Sequence, residues 1–135
     1  MIDESCPIEE VREIFGGDRF ATEACGCRVV EASRGHAVCE FDIADIHYNA
    51  QGNVMGGAIF TLADFALAVG CNMGEEPTVA VSNSIRYLNA SKGRKLIATC
   101  SADKSGKHMG FYTVHVEDDL GTPIATMSAT CYRRA

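Results

Sequence analysis

Residues 56–71 read Gly56-Gly57-Ala58-Ile59-Phe60-Thr61-Leu62-Ala63-Asp64-Phe65-Ala66-Leu67-Ala68-Val69-Gly70-Cys71, an apolar run interrupted by one charged side chain, Asp64. A helix that is apolar on all sides is buried, in a protein core or in a bilayer. A membrane span needs about 20 apolar residues; this run is shorter, contains a carboxylate and opens on two glycines. The stretch therefore predicts a core helix that runs to about Asn72 and is ended by Asn72-Met73-Gly74, with Pro77 behind. A carboxylate there costs several kcal/mol unless something pairs with it or uses it. The opening glycines let the first amides approach a ligand closely, where unpaired N–H groups and the helix dipole favour developing negative charge. One segment thus offers a candidate base or nucleophile together with a candidate oxyanion site.

Outward from this helix the punctuation is clear. Pro7 suits a first helical turn, Ile8, Val11 and Phe15 share one face, and Gly16-Gly17 ends a short helix over residues 7–15. Strands are predicted at Cys25 to Ala32 and His36 to Ile43, turned by Ser33-Arg34-Gly35. Residues 44–55 are polar and rich in Gly and Asn, an ordered loop that leads into the helix. Four strands follow, at Thr78 to Asn89 (Val79, Val81, Ile85 and Tyr87 alternating), Lys95 to Asp103, Met109 to Asp118 and Thr122 to Arg133. Short turns make neighbouring strands antiparallel, and a sheet that curls around the helix is the way to bury it, giving an α+β fold. Such a sheet leaves bare edges and an uncovered face, so a homo-oligomer is expected.

The chain of 135 residues suits one domain, residues 1–135, with residues 1–20 as a helical extension. Hydrophobic content of 47% with 22% charged residues is that of a globular protein. The net charge of −6 and pI near 5.1 argue against nucleic acid or an anionic membrane as partner. The acidic opening Met1-Ile2-Asp3-Glu4-Ser5 does not resemble a signal peptide. Seven scattered cysteines read as reduced thiols, which points to the cytoplasm. Cys25-Gly26-Cys27 is not a CxxC motif and no Cys/His spacing suits zinc, so neither a metal nor a cofactor is expected.

The stretch His47-Tyr48-Asn49-Ala50-Gln51-Gly52-Asn53-Val54-Met55-Gly56-Gly57-Ala58-Ile59-Phe60-Thr61-Leu62-Ala63-Asp64 resembles the signature of the hotdog-fold acyl-CoA thioesterases, phenylacetate-degradation type, H-x-N-x-x-G-x-x-H-G-G-x-x-F-x-L-A-D. The resemblance implies the hotdog fold, a curved six-stranded antiparallel sheet around one long central helix, in dimers that often pair into tetramers. By residue, it implies Asp64 as the catalytic carboxylate, either nucleophile or base. Gly56 would polarise the thioester carbonyl through its amide, and Asn49 would position water or the thioester. Gly57, His47 and Met55 are candidates to border the substrate, with His47 read as ordering the loop or packing rather than as a base. Two departures stand out: Met55 replaces the usual His, and Ala80 replaces a frequent Ser or Thr on the third strand.

Gly56 and Asp64 are eight positions apart, about 12 Å along one helix, too far for both to meet one carbonyl. If both act, the active site combines the helix start of one subunit with Asp64 of another. Lys92, Arg94, Lys104, Lys107, Arg133 and Arg134 gather late in the chain. Among them, Lys104-Ser105-Gly106-Lys107 is the best candidate to receive the phosphates of coenzyme A. Phe60, Leu62, Phe65, Tyr87 and Met55 are candidates to border an aryl or medium aliphatic acyl group, which core packing would explain equally well. The reading is an acyl-CoA thioesterase whose partner is its acyl- or aryl-CoA substrate. Its alternatives are a non-catalytic acyl-CoA binding module and, with less support, an acyl-thioester hydratase or dehydratase.

Overall fold

The computed structural model describes residues 1–134. In chain order it contains α1 (Ile8–Phe15), a π-helical turn (Phe20–Ala24), β1 (Arg28–Ser33), β2 (His36–Asp42), a 3-10 turn (Asp45–His47) and α2 (Gly56–Asn72). Then come β3 (Thr78–Tyr87), β4 (Lys95–Ser105), β5 (Met109–Asp118) and β6 (Pro123–Arg133). All six strands form one antiparallel sheet in the order β1-β2-β4-β5-β6-β3, curled about α2 in the hotdog arrangement. No helix among the described residues is long and apolar enough to cross a membrane.

α2 is buried because the sheet covers most of its circumference. Ile59, Leu62, Phe65, Leu67 and Val69 all lie in the core, each contributing about 1.5–3 kcal/mol by burial. The helix keeps one partly open stripe, Gly57, Thr61, Asp64 and Ala68, at i, i+4, i+7 and i+11. Its end is clamped by Asn72, whose Nδ2 donates to the Ala68 and Thr78 carbonyls (2.8 and 3.1 Å) while its Oδ1 accepts from the Thr78 amide at 2.8 Å. That side chain thus closes the helix and starts β3.

The two sheet edges differ. β1 is backed by α1, where Arg12 Nε donates to the Val29 carbonyl at 2.7 Å and Phe15 packs edge-on against Phe65 of α2. β3 has no strand beyond it and exposes Val79 and Val81. A bulge between Ala80 and Ser82 breaks the alternation expected for this strand. β1, expected from Cys25, begins at Arg28: a π-helical turn over Phe20–Ala24 precedes it, and Gly26, at φ 76°, reverses the chain before the strand.

Gly70 marks the closest approach of α2 to the sheet. A Cβ there would lie 2.9 Å from Cys100 Sγ on β4. Gly70→Ala gains about 1 kcal/mol of helix propensity, but overpacking costs about 1–3 kcal/mol, and the buried Cys100 has little room to yield. We expect Gly70→Ala to lower stability in chemical denaturation. Adding Cys100→Ala should recover much of that loss, and strict additivity of the two changes would contradict the assigned contact.

Candidate active site

The start of α2 is held by the loop before it rather than by a cap. His47 is buried, its ring stacked on Phe41 with centroids 4.1 Å apart. Its Nδ1 accepts from the Ala44 amide at 2.9 Å, so the proton sits on Nε2, which donates to the Cys25 carbonyl at 2.8 Å. The His47 carbonyl accepts from the Met55 amide at 2.8 Å. With both ring nitrogens engaged, His47 orders the loop and has no free nitrogen to act as a base. Met55 then takes an extended conformation (φ −62°, ψ 138°) and α2 begins. The Met55 carbonyl accepts from the Ala58 and Ile59 amides, while the Gly56 and Gly57 amides have no acceptor among the described residues. These are the orphan donors of a helix start, oriented along its dipole.

The glycines have separate reasons. A Cβ on Gly56 would lie 3.2 Å from Cζ of Tyr87, whose hydroxyl donates to the Gly56 carbonyl at 3.1 Å. A Cβ on Gly57 would meet only Met55 Cε, at 4.0 Å, so that glycine leaves its amide open to an incoming group.

Asp64 lies two turns further on, half-buried in a cavity of about 400 Å³. Asp18, Arg19 and Phe20 of the N-terminal segment form one wall, and Phe60, Thr61 and Phe65 of α2 the other. No hydrogen-bond donor among the described residues reaches its carboxylate. The Thr61 hydroxyl, one possible partner, donates instead to the Gly57 carbonyl at 2.8 Å. Arg19, the nearby cation, is engaged by Glu23. Burial raises the Asp64 pKa above the ordinary carboxylate value, and the charge of Asp18 raises it further.

Asn49 caps a turn: its Oδ1 accepts from the Gln51 and Asn53 amides at 3.0 and 3.1 Å, leaving Nδ2 as the group it can offer a ligand. The hairpin between β4 and β5 is partly committed within the chain. Ser105 Oγ and the Gly106 carbonyl both accept from Nη1 of Arg133, at 2.9 and 2.7 Å, and the Gly106 amide donates to the Met109 carbonyl. Lys104 and Lys107 remain exposed and without an ion pair among the described residues. Arg133 is itself buried, bonded to Glu75, Thr78 and Tyr112, so it is a structural cation and not part of a surface cluster.

Of the side chains suggested for an acyl group, Leu62 is core, Phe60 and Phe65 border the Asp64 cavity and Tyr87 abuts Gly56. Two features escaped the sequence reading. Asp18 shares the Asp64 cavity, and nothing in its local sequence signals this. Asn83 on β3 holds a buried Oδ1 with no partner, a state that costs about 1–3 kcal/mol. No group of three or more His, Cys, Asp or Glu among the described residues is arranged to hold a metal ion.

The model of the thioesterase superfamily matches residues 51–125. The chain is 30% identical over 127 residues to a putative esterase of Archaeoglobus fulgidus, which spans 93% of this chain and 82% of that protein. It is 27% identical over 112 residues to acyl-coenzyme A thioesterase PaaI of Escherichia coli, covering 82% of this chain and 80% of the relative. A solved structure of E. coli PaaI superposes with a TM-score of 0.82 at 22% identity, over 96% of this chain and 97% of that one. A hypothetical thioesterase protein from Streptococcus pneumoniae, solved with coenzyme A, also gives a TM-score of 0.82, at 21% identity over 91% and 96% of the two chains. At these identities the two structures establish the fold.

The raised pKa of Asp64 has consequences of opposite sign. Chemistry that uses the carboxylate loses rate as pH falls through a value above the ordinary carboxylate range, and Asp18→Asn should move that acid limb of kcat/KM downward. For stability, the contribution of a group with a raised folded-state pKa is fully present below its unfolded-state value and is lost as pH rises through the folded-state value. Asp64→Asn, which cannot ionise, should therefore melt above the wild type at pH 7. The difference should close as pH falls toward about 4. Thermal melts of both proteins across pH check this, and a lower Tm for Asp64→Asn at pH 7 would show a stabilising partner for the carboxylate.

Proposed function

The chain belongs to the thioesterase superfamily, and we propose that it is an acyl-CoA thioesterase that hydrolyses an acyl- or aryl-CoA to the free acid and coenzyme A. The observation that carries this reading is the pairing of two unoccupied amides at the start of α2 with an unpartnered carboxylate on the same helix. Asp64 either takes a proton from the attacking water or attacks the thioester itself, and the Gly56 amide receives the negative charge that develops on the carbonyl oxygen. Either route consumes one water, breaks the C–S bond and returns a proton to the leaving thiolate. Asn49 positions water or thioester by donation from Nδ2, and Lys104 and Lys107 supply contacts to the phosphates of coenzyme A. Glycine at 57 leaves room for the thioester beside the donor. A binding module would have no use for a half-buried carboxylate without a partner, and a hydratase is ill served by Met55 where an imidazole would be needed.

The active unit in this reading is a homodimer, with pairing into tetramers open to it. Asp64 of one subunit and Gly56 of the other serve the same thioester, because a rigid helix separates the two within a chain. The bare β3 edge with its exposed Val79 and Val81 supports pairing there. Seven unpaired thiols, six of them buried, support a reducing compartment such as the cytoplasm.

Asp64→Asn should lower kcat by about a hundred- to ten-thousandfold with the fold and assembly retained. Gly56→Pro removes the amide at a first helical position whose backbone suits proline, behind an extended Met55, with the Tyr87 ring required to shift by a few tenths of an ångström, so a melting curve checks the fold of the variant. It should also be inactive. Each mixed dimer of these two variants holds one intact site, so co-refolding two inactive proteins should restore thiol release from acyl-CoA. Restoration would establish a shared site. Failure of well-folded mixed dimers to recover activity would place the whole site within one chain.

A further inference from the structure

A second cavity, of about 440 Å³, opens beside the free Gly57 amide and shares Phe20 and Thr61 of its lining with the Asp64 cavity. Its walls are Phe20, Ala24 and Cys25 of the N-terminal segment, Ile46 of the loop, and Met55 and Ala58 at the start of α2. Resting on the thioesterase reading, we propose that this cavity receives the acyl part of the substrate and selects apolar acyl groups of medium size that carry neither a charge nor a hydrogen-bonding group.

Three observations carry the assignment. The first is position: Met55 and Gly57, the chain neighbours of Gly56, line the cavity, and the unoccupied Gly57 amide belongs to its lining, so a thioester carbonyl held at this helix start has the cavity next to it for its acyl chain. The second is chemistry. No Asp, Glu, Lys or Arg lines it, and both ring nitrogens of His47 are already engaged by the backbone. The Thr61 hydroxyl has already given its proton to the Gly57 carbonyl. Apart from the Gly57 amide at the helix start, no lining group is a free strong donor, so a carboxylate at the far end of the acyl chain would lose its water with little to replace it, and such mismatches discriminate strongly. The third is exposure. Phe20, Ile46 and Met55 are 70%, 73% and 56% exposed, three large apolar side chains around one opening, and a bound apolar chain would cover them. The volume lies in the lower half of the roughly 300–1,000 Å³ range of ligand pockets, which suits a medium chain or a single ring. Met55 fits this role where an imidazole would not: the thioether adds apolar, adaptable surface at the mouth.

The test compares kcat/KM for octanoyl-, acetyl- and succinyl-CoA in the wild type, Ala24→Phe, which fills the cavity from its rim, and Phe20→Ala, which widens it. Melting curves confirm that each variant is folded. The wild type should prefer octanoyl-CoA over both others by at least about tenfold. Ala24→Phe should lower the octanoyl-to-acetyl ratio at least about tenfold, and Phe20→Ala should raise turnover of dodecanoyl-CoA relative to octanoyl-CoA. Succinyl-CoA turned over as well as octanoyl-CoA, or ratios unmoved in both folded variants, would overturn the assignment while leaving the thioesterase reading intact. If the wild type hydrolyses none of these thioesters, that reading fails separately and the cavity is judged by binding. A Tm rise with octanoyl-CoA beyond that with free coenzyme A, lost in Ala24→Phe, would support the cavity; equal rises would overturn it.

Discussion

A helix is a rigid rod, and this one holds its two unsatisfied polar features, the proposed halves of a reaction centre, too far apart to serve a single carbonyl. Gly56 offers amides without acceptors and Asp64 a carboxylate without a donor, on the same 17-residue helix. The sheet that wraps α2 fixes this separation, because packing around Ile59, Leu62 and Phe65 leaves the helix no freedom to bend. What the helix cannot bring together, symmetry can. In the proposed dimer, a second copy turned end for end would supply the opposite half at each site, so the incompleteness of one chain would become the specification of an assembly.

The same edge strand that remains open to a second copy also steadies the donors. Tyr87 at the end of β3 bonds the Gly56 carbonyl, and its ring comes within 3.2 Å of where a Cβ at Gly56 would be. At the other end, Asn72 bonds both the last turn of α2 and the start of β3. The strand and the helix are thus fastened together at both ends. Asp64 contrasts with this tightness: it has no fastening, is partly desolvated, and sits beside another carboxylate. The chain tolerates an unfavourable charge at that point because the surrounding core is large and closely packed.

Much of the fold was legible because its punctuation is local. Gly56-Gly57 and Asn72-Met73-Gly74 bracket α2 at the residues where it begins and ends, and glycine-bearing turns separate five of the six strands near their observed bounds. Local signals failed where tertiary partners decide. The Cys25-Gly26-Cys27 stretch resembles a strand, yet a π-helical turn ahead of it is held from outside, with the Cys25 carbonyl accepting from His47. Ser105 and Gly106 look free for a phosphate until Arg133, at the far end of the chain, is found bonded to both. The side chains suggested for an acyl group were mostly core or lay elsewhere, since hydrophobicity alone does not tell a wall from a filling. Asp18 and Asn83 gave no sequence signal because their roles are defined by what lies opposite them in space.

The apolar cavity is built from two parts of the chain with different standing. Its catalytic side, Met55 to Thr61, falls within residues 51–125, the stretch shared with the superfamily. Its outer side lies ahead of that stretch, and three of its residues, Phe20, Ala24 and Ile46, are exposed and outside the central core. Substitutions in the outer wall can reshape the space offered to a substrate without disturbing the helix start or the carboxylate. In the proposed reading, chemistry and selectivity therefore sit on different parts of the chain, and Phe20, Ala24 and Ile46 are where substrate range can drift without touching the helix start.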